Sequence, residues 1–191
     1  MNTLEAIEQR RSIRRFKDTP VPDEIIETIL RAATLAPSGK NRQPWRFVVV
    51  RGDRRAEMVR LMREAIARIK EQGDNTGSSE WTANVMEQAP VTVFVFNPYA
   101  ETKGGIRTLE DALWSIVDVQ STGAAIQNML LAAQDLGVGT LWICDVFYAY
   151  DELCAWLGQE HQMIAAVSLG YPDERPAARP RKPVSEVTRW L

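Results

Sequence analysis

Three polar segments of this 191-residue chain could do chemistry that their surroundings do not require. Arg10-Arg11-Ser12-Ile13-Arg14-Arg15-Phe16-Lys17 puts five cations into eight residues of a chain whose formal net charge is −2. A cluster of that density can be a nucleic-acid arm, a solvated helix end that complements the macrodipole, or a pocket for one phosphate group. Ala36 to Trp45, APSGKNRQPW, offers amides and hydroxyls beside one tryptophan. It reads as a ligand-lining loop or as an ordinary connection with Asn and Gly in turn positions. Arg179-Pro180-Arg181-Lys182 is a second cationic group, held near-extended by proline; its plain alternative is a solvated tail.

What is missing narrows the chemistry. The single histidine, His161, lies in a polar Gln-Glu-His-Gln stretch expected to be an exposed turn. A histidine-based zinc site lacks ligands, and a Ser-His-Asp or Cys-His arrangement would depend on an unoriented base. Cys144 and Cys154 form no CxxC pair and sit among apolar residues, so reduced, structural thiols are expected. No GxGxxG or GxxxxGK[ST] loop follows a strand; Gly137-Val138-Gly139 follows a helix and opens a strand, the reverse of a dinucleotide fingerprint. An enzyme built this way leaves the hard chemistry to a bound organic cofactor. With 23 basic against 25 acidic residues and a pI near 5.6, any cationic patch is local, which argues against broad nucleic-acid binding. The acidic N-terminus lacks a signal-peptide core, and no apolar run reaches the ~20 residues that span a bilayer. A cytoplasmic location without membrane or metal partners is the resulting expectation.

The elements that must position these segments follow from periodicity. Asn2 with Glu5 has the form of a helix start, so the basic cluster falls at or just after a helix C-terminus. Pro22-Asp23-Glu24 opens a second helix that Pro37 stops, leaving Ser38 to Pro44 as a loop. Arg46 to Val50 suits a strand buried on both faces. Asp53 is placed to cap a third helix through Gln72, and Gly73 to Ser79 reads as flexible. A short helix over 81–87 leads to a strand over 91–96, and 97–107 reads as a long loop of the kind that covers sites. Residues 109–136 form one long helix, apolar or small on nearly all sides. Strands over 138–144 and 163–169 flank a helix near 151–157. The expected architecture is α+β, about four strands with helices around them, in one domain spanning 1–191. The stretch 171–191 ends in Val184, Val187, Trp190 and Leu191 and is expected to dock, on a second subunit in particular.

RRSIRRF, APSGKNRQPWRFVVV, GAAIQNMLLAAQDLGVGTLW and RPRKPVSEV occur in this order over nearly the whole chain, which thereby resembles the nitroreductase family of flavoproteins. The resemblance implies a nitroreductase-like fold, a central mixed, mostly antiparallel sheet surrounded by helices, and a homodimer with FMN in two interface clefts. It implies that Arg10, Arg11 and Ser12 contact the phosphate and ribityl chain, with Arg181 and Lys182 or Arg179 closing the phosphate pocket. Arg14 would reach the pyrimidine edge of the flavin. From the other subunit, Pro37, Ser38, Gly39, Asn41 and Gln43 would line the ring, and the backbone of Ile143 and Cys144 would lie against its N5 edge. The implied reaction is NAD(P)H-dependent and ping-pong, with a nitroaromatic, quinone or similar flat electrophile as acceptor and no catalytic side chain. Segments 73–81 and 97–107 would shape the acceptor pocket, and Asp145 would either disfavour an anionic flavin or point away. Competing readings keep the fold but change the reaction to reductive dehalogenation or flavin fragmentation, or make the protein a non-catalytic flavin-binding regulatory module.

Overall fold

The computed structural model describes residues 1–101 and 108–191. Asn2 caps α1 (Thr3–Gln9) through a reciprocal capping box with Glu5. Next come α2 (Asp23–Thr34), β1 (Arg46–Arg51), α3 (Arg54–Glu71), α4 (Ser79–Gln88), β2 (Val91–Glu101), α5 (Leu109–Asp135), β3 (Gly139–Ile143), α6 (Tyr150–Trp156), β4 (His161–Gly170) and α7 (Val184–Val187). The sheet order is β1-β2-β4-β3, and every neighbouring pair is antiparallel. A parallel bridge from Ser12 to Thr140 adds the N-terminal segment to the outer edge of β3. The described residues therefore build a helix-covered, mostly antiparallel sheet as expected.

Alternation along the central strand β2 separates two cores. Phe94 and Phe96 pack with Met58, Met62 and Ile66 of α3, Met86 of α4 and Leu153 of α6. Val91, Val93 and Val95 face the other way, onto Ile26 and Ile29 of α2 and Ile126 and Met129 of α5. β1 is an edge strand, so Phe47, Val48 and Val49 are only partly buried rather than covered on both faces. Three further expectations change. Asp53 adopts helical backbone angles and its side chain caps nothing. His161 is not in a turn; it opens β4, half-buried, with Nε2 3.4 Å from Nη1 of Arg46. In the stretch 73–79 Thr76 and Ser79 are buried and the other residues are exposed. Of the expected loop over 97–107, the first part continues β2, and 102–107 lie outside the described residues.

The helix α5 is buried on one side only. Ala125, Ile126, Met129 and Ala133 enter the core, but Leu109, Leu113, Ile116 and Val119 are exposed. Val184, Val187, Trp190 and Leu191 are exposed as well. No described helix is long and apolar enough to cross a membrane.

Candidate functional site

After α1 the backbone turns extended at Arg10 and runs beside β3, where Ile13 N–H donates to the Thr140 carbonyl at 2.8 Å. It continues along the segment after β4: Lys17 N–H donates to Tyr171 and Asp173 N–H to Arg15. Glu174 accepts from the backbone N–H of both Arg14 (2.5 Å) and Arg15 (3.2 Å) and pairs with the Arg15 guanidinium. Ile13 and Phe16 thereby enter the core while Arg10, Arg11 and Arg14 stay at the surface of the protomer. Two glycines permit this approach. A Cβ on Gly139 would meet Ile13 Cγ1 at 2.8 Å, and one on Gly170 would meet Phe16 Cδ1 at 2.8 Å.

The result is a cleft of about 400 Å³ lined by Arg10, Arg11, Ser12 and Arg14 from the N-terminal segment and by Arg179 and Arg181 from the C-terminal one. Two segments about 170 positions apart thus line one cleft; Lys182 is exposed and outside this lining. None of Arg10, Arg11, Arg179 and Arg181 has a carboxylate ion-pair partner among the described residues, although Glu8 borders the cleft. Arg11 and Arg181 donate instead to carbonyls of their own segments. Burial, then the like charges of Arg181 and Arg11, hold the Arg10 guanidinium below its ordinary pKa. Such a cleft gains most from an anion that accepts several charge-assisted hydrogen bonds at once.

Arg14 also lines a second cleft, of about 190 Å³, with Ser78, Trp81, Thr82, Leu141, Trp142, Ile143, Cys144 and Asp145. Its guanidinium lies 5.4 Å from the Trp81 ring centroid. The carboxylate of Asp145 is held by the hydroxyls of Ser78 and Thr82, which tie the start of α4 to the end of β3. Burial first, and then Asp145, raise the Cys144 thiol pKa. Cys154 is buried elsewhere, and both cysteines are free. Ile143 and Cys144 line this cleft together with Ser78 and Trp81 of the 73–81 segment expected at the acceptor pocket, whereas Thr82, Trp142 and Glu174 were not singled out as site residues. An exposed tryptophan in the first turn of a polar helix was the available signal for Trp81; Glu174 carried none.

Residues 7–171 match the Nitroreductase family. The chain belongs to that family. A curated relative from Methanothermobacter thermautotrophicus, named "Putative NADH dehydrogenase/NAD(P)H nitroreductase", is 33% identical over 94% of this chain and 82% of its own length. A Desulfovibrio desulfuricans protein solved in complex with FMN superposes with a TM-score of 0.76 at 30% identity, covering 100% of this chain and 97% of that one. A BluB-like flavoprotein from Clostridium difficile 630 reaches a TM-score of 0.80 at 30% identity, covering 100% and 99%.

In this nitroreductase-family chain Pro37, Ser38, Gly39, Asn41 and Gln43 line neither cleft. Their loop sits against α5 instead, where Gly39 N–H donates to Ser121 Oγ at 3.4 Å, and Pro37, Asn41 and Gln43 face outward. Lys40, Asn41 and Gln43 have φ of 49°, 53° and 51°, in the left-handed region.

Proposed function

We propose that the chain is an FMN-dependent oxidoreductase of the nitroreductase family that works as a cytoplasmic homodimer. When bound, FMN would supply the redox chemistry, a ping-pong hydride transfer from NAD(P)H to a flat electrophile such as a nitroaromatic or quinone. The observation that carries this reading is the convergence of Arg10, Arg11, Arg179 and Arg181 on one cleft that shares Arg14 with a second cleft lined by Trp81 and Trp142. The four guanidiniums would hold the phosphate with Ser12, and Lys182 would add long-range attraction. Arg14 would favour negative charge on a ring in the second cleft. Asp145 acts in the opposite sense, but its charge is partly spent on the hydroxyls of Ser78 and Thr82. Ile143 and Cys144 would present backbone to the ring edge.

Pro37, Ser38, Gly39, Asn41 and Gln43 would reach the flavin bound by the other protomer. Their outward orientation supports this, as does the exposed apolar row Leu113, Ile116 and Val119 of α5 with Trp190 and Leu191 of the C-terminal stretch, surfaces that a second copy would cover. The arm expected over 171–191 would then begin after Arg181, since Tyr171 to Glu174 pair with their own N-terminal segment and Arg179 and Arg181 line their own chain's cleft.

The test is the visible spectrum of the purified protein after reconstitution with FMN, followed anaerobically during addition of NADH or NADPH. Flavin absorbance that stays with a dimer through gel filtration and bleaches with a pyridine nucleotide supports the proposal. Retained flavin that neither nucleotide reduces refutes the reductase reading, and no retained flavin refutes the phosphate site.

A further inference from the structure

Three left-handed, non-glycine residues within one short loop are costly, at about 1–2 kcal/mol each, and persist only where the surroundings impose them. In this chain the imposing surface is a polar stripe on α5. Asp118, Ser121 and Thr122 share one face of the helix at i, i+3 and i+4, and all three are buried. Each holds a different part of the loop. Asp118 accepts two hydrogen bonds from the Arg42 guanidinium, Nε to Oδ1 and Nη2 to Oδ2, both at 3.2 Å. Ser121 Oγ accepts from Gly39 N–H, and Thr122 Oγ1 donates to the Pro44 carbonyl at 2.8 Å. Gly39 is pressed so closely onto α5 that a Cβ there would collide with Val117.

Arg42 is secured from further directions. Its guanidinium carbon lies 4.3 Å from the Tyr99 ring centroid and 4.4 Å from that of Trp114. The Tyr99 hydroxyl donates to the Arg42 carbonyl at 2.9 Å, so both ends of the residue are fixed. Within the loop, Ser38 Oγ accepts from Gln43 N–H at 3.0 Å. A planar fork that can meet a carboxylate edge-on while lying against rings is a property of arginine that lysine lacks.

From these contacts we infer that Arg42, held by Asp118, Tyr99 and Trp114, is a positioning residue that keeps loop 38–43 in the one shape with which it meets the flavin of the opposite protomer. This rests on the proposed function above. The pair does not touch either cleft of its own chain. Its effect is on the fraction of loops already shaped for binding, and the apparent dissociation constant rises as that fraction falls.

The test compares full-length wild type with Arg42→Met/Asp118→Leu, which removes both charges together and so avoids stranding a buried carboxylate, and with Arg42→Lys. FMN affinity is read by fluorescence quenching, the environment of bound flavin by visible circular dichroism, apoprotein stability by thermal melting, and assembly by sedimentation. The double variant should melt and assemble as wild type does, bind FMN about tenfold more weakly, equivalent to about 1.4 kcal/mol, and give a changed dichroism band. Arg42→Lys, keeping the charge without the fork, should fall between the two. Wild-type affinity and dichroism in the double variant would overturn the inference. So would a loss of affinity matched by an equal loss of apoprotein stability, because the pair would then serve folding alone. Failure of wild type itself to bind FMN would instead overturn the proposed function, and the inference with it.

Discussion

Replacing Arg181 with methionine should weaken FMN binding without weakening the folded apoprotein. Arg181 is exposed, and among the described residues its side-chain hydrogen bonds run to the carbonyls of Arg179 and Pro180, which water can satisfy equally well. It also stands close enough to Arg10 to help depress that guanidinium's pKa. Removing it therefore relieves repulsion in the empty cleft, and the apoprotein melting temperature should stay level or rise slightly. With the phosphate bound the sign reverses. A hydrogen bond to a charged group contributes about 1.5–3 kcal/mol, so one lost guanidinium contact should raise the FMN dissociation constant roughly tenfold to a hundredfold at about 1.4 kcal/mol per decade. Riboflavin, which has no phosphate, should bind the variant as it binds wild type. The assay is a fluorescence-quenching titration with both flavins at low and high salt, since added salt should narrow the FMN difference. An equal loss of riboflavin affinity, or a melting temperature lower by several degrees, would refute the assignment of Arg181 to a phosphate.

Gly139→Ala should destabilise the protein by about 1–3 kcal/mol in urea unfolding, because the new Cβ overlaps Ile13. It should weaken FMN binding too, since Ile13 carries the arginine segment along β3; in Gly139→Ala/Ile13→Ala the two costs should add to less than their sum. Burial, then Asp151, push the Cys154 thiol up to about 11, against about 8.5 in an unfolded chain. The unfolded state therefore loses its proton first, so stability should fall as pH rises from about 9 towards 11, with a smaller fall in Cys154→Ala, as followed by denaturant unfolding across that range. Deleting residues 183–191 should leave the circular dichroism of the protomer almost unchanged and weaken the dimer, as measured by sedimentation equilibrium, because Val184, Val187, Trp190 and Leu191 contact little within their own chain.

The local patterns were legible wherever a residue's neighbours in sequence are also its neighbours in space. Asn2 with Glu5 announced α1, Pro22-Asp23-Glu24 announced α2, and the span of α5 agrees with its pattern to within one residue. Patterns that depend on what lies across the sheet misled. The run Arg46 to Val50 has the composition of a central strand, yet β1 is an edge strand, and only strand order distinguishes the two. Likewise the Gln-Glu-His-Gln stretch looks like a turn, but pairing of β4 with β2 draws His161 into the ladder. The apolar character of α5 looked like burial on all sides, whereas one protomer covers only one of them.

The site divides along the same line. By itself the sequence showed five cations in eight residues of a net-acidic chain, a local cluster open to a nucleic-acid arm, a solvated helix end or a phosphate pocket, and only the family resemblance pointed to the phosphate. Tertiary structure alone decided that Arg179 and Arg181 share the cleft of Arg10, that Ser78 and Thr82 hold Asp145, and that Arg42 locks its loop onto Asp118. Each of those contacts joins positions dozens of residues apart. Charge and periodicity act along the chain and can be read there, but a hydrogen bond needs two groups within about 3 Å of each other, and only the folded backbone sets that distance.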